Sequence, residues 1–291
     1  MTTRVWTGEG DNGDWATGDN WAPASVPEND DIVILAMPDG GDITAGLNNA
    51  GLTLAELRIG PQWNGIIGES DFPLWLNSGI VDFASGADAT YLKGNFTTFN
   101  VTDGKNRSDM LVFQGEGPTN TTEITTLRVI GGNGTISTIG ATEDNFINRV
   151  ECIGANNITI DMSEGCTAIT ELVMDSGLVS AAATIVTVEV YGGQLTLSNP
   201  SSGGAPITTL NVYDGAVCKY NSLGTITTLT MYGGTWTASD NTNSSVTITN
   251  ASMYDGLINE RNYISSLVWT NGITIHQGEV VYEPGRDITI S

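Results

Sequence analysis

The feature that most constrains this chain is a short unit that returns along its length. Ile207-Thr-Thr-Leu210-Asn-Val212-Tyr-Asp-Gly215 and Ile226-Thr-Thr-Leu229-Thr-Met231-Tyr-Gly-Gly234 are near copies. Ile124-Thr-Thr-Leu127-Arg-Val129-Ile-Gly-Gly132 and Phe96-Thr-Thr-Phe99-Asn-Val101-Thr-Asp-Gly104 follow the same template. Weaker copies centre on Leu57, Leu74, Val150, Leu172, Val188, Ala251 and Leu267, so anchors recur 16 to 28 residues apart. Within a unit apolar and polar residues alternate, Leu210 and Val212 against Asn211 and Tyr213, which is the period of a strand with one buried face. A Gly stands five residues after the anchor in nine of the eleven units. A Gly repeated there predicts a corner that needs positive φ or close backbone approach. A second short strand is expected after it, as in Gln194-Leu-Thr-Leu197 and Ile273-Thr-Ile275.

A repeat that carries strands and corners but no helical period reads as an all-β fold, a single-stranded right-handed parallel β-helix (solenoid) with an N-terminal cap. The leucine-rich repeat has a similar I-x-x-L-x-V spacing. It places an Asn where this chain has Gly, and 16-residue units are too short for a strand, two loops and a helix. A β-sandwich or propeller is the other alternative. Residues 1–35 form the expected Trp-rich cap, and 36–291 a solenoid of about eleven or more coils, less regular over 36–120 and regular over 121–291.

Net charge narrows the function classes. With 33 Asp plus Glu against 10 Lys plus Arg, the formal charge is −23. Nucleic acid and anionic lipid both require clustered cations, so neither is an expected partner. Met1–Trp6 has no apolar signal region, and no stretch approaches transmembrane length, so synthesis in the cytosol is expected. Cys152, Cys166 and Cys218 are odd in number and far apart, which fits neither a disulfide framework nor a zinc site. Cys152 and Cys218 fall on apolar strand positions and read as small core residues.

Outward columns are where function would sit. Tyr191, Tyr213, Tyr232 and Tyr254 stand three residues after four successive anchors. They are candidate interface residues, with a self-contained aromatic stack and sugar binding as alternatives. Glu151, Glu171, Asp175 and Glu189 lie on the same face beside Arg128 and Arg149. Acids on adjacent or alternate coils bracket the separations that glycosidases use, so these four are the catalytic candidates if the chain is a glycosidase or polysaccharide lyase. A solvated acidic face with Arg128 paired to Glu151 is the simpler expectation. His276 is the sole histidine and has no Ser or Asp at triad spacing. The aspartates of Asp11-Asn-Gly-Asp14 and Asp19 miss the calcium-loop order and read as turn residues. No cofactor or metal is expected.

The segment Val5-Trp6-Thr-Gly-Glu-Gly-Asp-Asn-Gly-Asp-Trp15-Ala-Thr-Gly-Asp-Asn-Trp21, followed by Val26-Pro27 and Asp31-Ile-Val-Ile34, resembles the N-terminal cap of β-helical bacterial surface proteins and bacteriophage structural proteins. The resemblance covers about 35 residues. It implies a non-enzymatic virion-surface protein, most simply a capsid decoration or cement protein, or else an adhesin fragment. The partners expected on that basis are further copies of the chain, a homotrimer above all, and other virion proteins such as the major capsid protein. The chain's final Asp287-Ile-Thr-Ile290 reads as a strand without a cap, which a partner would cover.

Overall fold

The computed structural model describes residues 1–10, 12–38, 40–84, 90–102, 111–114, 121–139, 145–162, 166–198, 207–221, 224–238, 245–260 and 266–281. The described chain is a nearly all-β solenoid built on parallel bridges. Its helical content among these residues is the single 3-10 turn Gly18–Asn20. The expected closing strand Asp287–Ile290 and the corner Gly104 lie outside the described residues. The chain forms two compact units, residues 1–148 with 164–167, and residues 149–163 with 168–291.

In the first unit one parallel ladder runs through strands Thr3–Trp6, Ile32–Leu35, Asn48–Ile59, Leu74–Phe83, Asn95–Val101 and Thr122–Val129. Val33, Leu57, Val81, Phe99 and Leu127 share one inward column. Leu35, Ile59, Phe83, Val101 and Val129 share the next, and all ten are 0–1% exposed. Two-residue alternation puts every second side chain inward, and parallel pairing stacks like on like. A second ladder aligns Leu74, Leu92, Phe113 and Thr138. Leu74 is therefore not an anchor of the first ladder, as the repeat suggested; Val81 holds that position. The segment Leu74-Trp-Leu76 has the same alternation, and one face of alternation cannot tell which side of a coil a strand occupies.

The tryptophans of the N-terminal segment are core residues. Trp6, Trp15 and Trp21 are 0–2% exposed. Trp21 meets both others edge-on, with centroids 4.9 Å from Trp6 and 4.7 Å from Trp15. Trp6 Nε1 donates to the Gly40 carbonyl at 2.7 Å and Trp21 Nε1 to the Trp15 carbonyl at 2.9 Å, so these two indoles are buried without an orphaned donor. Beside them Asp31 accepts from the backbone N–H of Thr2 at 2.6 Å, the backbone N–H of Glu28 at 3.2 Å and Arg4 Nε at 3.2 Å. Burial by itself would raise the Asp31 carboxyl. The donors from Glu28, Thr2 and Arg4 outweigh it and hold the group below its ordinary value. Strands Thr3–Trp6 and Ile32–Leu35 already join the ladder, so the Trp-rich segment and the first coils are one packed body.

In the second unit Leu172, Val188, Leu210, Leu229, Ala251 and Ile273 form one column. Each is 0% exposed except Ala251 at 6%. Leu172, Val188, Leu210 and Leu229 stand together as the repeat predicts. Leu267 does not: it pairs with Val246, and the anchor after Ala251 is Ile273. Ile273–Ile275 is accordingly a first-ladder strand rather than the second strand of its coil. The true second ladder aligns Val179, Leu195, Cys218, Trp236, Ile258 and Val280. Cys152 and Cys218 are fully buried and unbridged, and burial pushes both thiols up to about 12.

Corners between the two ladders are set by Gly. Gly193 has φ +71°, and a Cβ there would stand 2.4 Å from the Gly177 carbonyl of the coil beneath. The position needs Gly twice over, for its dihedral and for the approach of stacked backbones.

Candidate functional site

The outer face of the first ladder in the second unit carries three columns, one residue before, one after and three after each anchor. The column before it runs Glu171, Thr187, Thr209, Thr228, Asn250. The one after it runs Val173, Glu189, Asn211, Thr230, Ser252, Thr274. The strands stack about 4.8 Å apart, so each side chain touches its equivalents above and below.

The third column is aromatic. Tyr191 stacks on Tyr213 with centroids 4.4 Å apart, Tyr213 on Tyr232 at 4.9 Å, and Tyr232 on Tyr254 at 5.5 Å. The pile continues into His276, whose ring lies 4.7 Å from Tyr254 and within 5° of parallel. A register shift between Met231 and Tyr232 leaves the stacking intact. The four tyrosines stand where the repeat places them. Tyr191, Tyr232 and Tyr254 are 46–48% exposed and Tyr213 is half-buried. What they expose are edges and hydroxyls, since the ring faces lie on one another. A sugar ring docks on an aromatic face, so stacking closes the inner faces of this column to that use. His276 is the column's last described member and needs no catalytic role to account for it.

The acidic candidates are tied into the sheet. Arg149 Nε donates to Glu151 Oε1 at 2.7 Å, and Arg149 Nη1 donates to Glu171 Oε2 on the next coil. The hydrogen bond to Glu151, together with Glu171, raises the guanidinium above its ordinary value. Both oxygens of Glu189 are engaged from one coil up, Oε1 by Asn211 Nδ2 at 2.8 Å and Oε2 by the Tyr213 hydroxyl at 3.0 Å. Burial in the pile, reinforced by the Glu189 carboxylate, pushes the Tyr213 phenol well above its usual value, so it stays a donor. Asp175 is exposed, three residues after Leu172 and so at the foot of the aromatic column. Arg128 belongs to the first unit, where it pairs across the ladder with Asn100.

The first unit repeats the device, with Asn100 Nδ2 donating to Asp82 Oδ1 at 2.7 Å. A carboxylate on one coil is thus met by an amide or guanidinium on the next. Such an arrangement ties neighbouring coils together, and at Glu151 and Glu171 the Arg149 guanidinium also offsets charge.

Of the aspartates of the N-terminal turns, Asp11 lies outside the described residues and Asp14 closes its turn. Asp14 Oδ1 accepts from the Ala16 N–H at 2.8 Å, and Asn12 Oδ1 accepts from the Asp14 N–H at 3.1 Å and Asn20 Nδ2 at 2.8 Å. Among the described residues no three His, Cys, Asp or Glu side chains group as metal ligands would. Comparison of the chain with protein-family models, curated proteins and solved structures finds no match to any of them.

Proposed function

We propose that this protein is a non-enzymatic structural component of a bacteriophage virion surface, a capsid decoration protein that binds its neighbours through its outer sheet. One observation carries the reading. On the face where β-helical enzymes keep their reacting groups, Glu151, Glu171 and Glu189 have bonds to Arg149, Asn211 and Tyr213, and the aromatic rings lie on one another. A face so internally bonded costs little entropy to present, which favours a rigid docking surface. The resemblance of the Trp-rich segment supplies the virion. The exposed edges of Tyr191, Tyr232 and Tyr254 are then the contact with two further copies around a three-fold axis, which buries identical patches in a closed assembly.

Immunogold labelling of particles banded from a lysate tests the location. Gold on the particle surface supports the reading, and confinement of the protein to the soluble fraction overturns it. Light scattering at micromolar concentration should give a trimer that the double change Tyr213→Ser and Tyr232→Ser weakens without loss of β-structure. Polysaccharide cleavage that disappears in Glu151→Gln or Glu189→Gln, with folding intact, would replace the structural reading by an enzymatic one.

A further inference from the structure

The first unit contains a pocket of about 420 Å³, one wall of which is the column Asn48, Trp75, Lys93 on three successive coils. The rest of the wall comes from the connecting residues 44–47 and 71–73, with Asp71 and Phe72 at its rim. The volume is in the range of small-molecule sites. Its chemistry is unlike the rest of the chain. In a protein of charge −23 with 10 basic residues, one Lys is placed in the pocket wall at 2% exposure. Lys93 stands beside Trp75 across the ladder, its Nζ 4.2 Å from the centre of the indole ring. Burying an ammonium is costly, and contact with an aromatic face offsets part of that cost. The arrangement holds a cation in a dry wall at a fixed position.

The rim is equally defined. Phe72 is 66% exposed, the highest value for any aromatic residue described. It does not sit on a loose tip. Glu69 and Phe72 exchange both backbone hydrogen bonds, N–H to carbonyl at 2.9 and 3.0 Å. A Cβ on Gly68 (φ +67°) would meet the Leu74 N, the Tyr91 carbonyl and the Phe72 carbonyl at 2.9–3.1 Å, so the turn is packed from below. An exposed apolar ring on a braced turn, at the lip of a pocket, is a contact surface for something that enters it.

We propose that this pocket binds an acidic sugar residue: its carboxylate is taken by Lys93, its apolar ring face by the aromatic walls Phe72 and Trp75, and its hydroxyls by Asn48 and Asp71. An ammonium has three donors and can bind a carboxylate while keeping other partners. Asp71, exposed at the rim, repels a carboxylate and accepts from hydroxyls, so it orients the sugar with its acid group inward. The site is independent of where the protein works, so its failure leaves the virion assignment standing.

Ligand-observed NMR and calorimetry test it, with the methyl glycosides of glucuronic, galacturonic and N-acetylneuraminic acid, methyl glucoside as the neutral match, and acetate. At least one acidic glycoside should bind ten-fold or more tighter than both methyl glucoside and acetate. Phe72→Ala, at an exposed position, should lose at least ten-fold of that affinity with the circular dichroism unchanged, and Asp71→Asn should narrow the preference for the sugar over acetate. Binding should weaken as salt rises, because a charge pair carries it. No binding by any acidic glycoside, equal binding of the neutral sugar or of acetate, or full affinity in Phe72→Ala would each overturn the proposal.

Discussion

Leu210→Ala probes the ladder where it is most regular. The side chain is 0% exposed and lies between Val188 and Leu229 in the inward column. Truncation removes three carbons, worth about 0.8 kcal/mol each in transfer free energy, or about 2.4 kcal/mol. To this is added the cavity left behind, at about 24 cal/mol per Å³. In a helical core neighbours relax into such a hole. Here Leu210 sits on a strand hydrogen-bonded on both sides, and the coils above and below cannot approach closer than their bonds permit. The cavity therefore persists, and the expected cost is about 4 kcal/mol, in the upper half of the range for such changes. Thr208→Ala, two residues away and exposed, should stay within about 0.5 kcal/mol. Urea unfolding followed by circular dichroism at 218 nm, about where β-structure absorbs, measures both. A loss below about 1 kcal/mol for Leu210→Ala, or equal losses for the two variants, would refute the argument that strand spacing prevents collapse.

Two further expectations use the same assay. Gly193→Ala should cost more than Gly215→Ala: both have positive φ, +71° and +77°, but a Cβ on Gly215 meets nothing within 4 Å. The second change should cost about 1–2 kcal/mol from the dihedral alone, and parity between the two would show that stacked backbones do not demand Gly. Asp31 has a folded pKa below its ordinary 3.8, so its contribution is complete above that value and is lost as pH falls through the lower folded one. Asp31→Asn should therefore cost about 3 kcal/mol near neutrality, because Arg4 is left buried without its partner, and the gap from wild type should close below pH 3.8; a gap constant from pH 7 to 2 would refute it.

How much of this was legible beforehand differs along the chain. From Leu172 to Leu229 the anchor, its alternation and its Gly fall together, and the ladder follows from the sequence directly. Leu74 and Leu267 misled because each begins an alternating strand with a Gly five residues on, Gly79 and Gly272, yet pairs with a different column. That error hid His276. Counted from Leu267 the third outward position is Thr270, whereas counted from Ile273 it is His276, the fifth ring of the pile. The ties on Glu189 and the Arg149 bridge were unreadable because they depend on side-chain reach between coils rather than on spacing along one. The pocket was invisible for another reason. Its rim, Asp71 and Phe72, comes from a connecting segment with no periodic signal, and the column Asn48, Trp75, Lys93 belongs to the part of the chain where the repeat is weakest.

The pile of Tyr191, Tyr213, Tyr232, Tyr254 and His276 also has an optical consequence. Four phenols held parallel within 21° at 4.4 to 5.5 Å are close enough for their transitions to couple, so their near-ultraviolet dichroism should exceed that of separated tyrosines. The coupling vanishes when a whole strand slips by a residue, because that turns its ring to the opposite side of the sheet, whereas the local bulge at Tyr232 keeps the ring in the pile. The protein thus carries its own gauge of register. Loss of that band ahead of the backbone signal would mark the coil at which unravelling starts, and ring by ring replacement would read out the order in which coils let go.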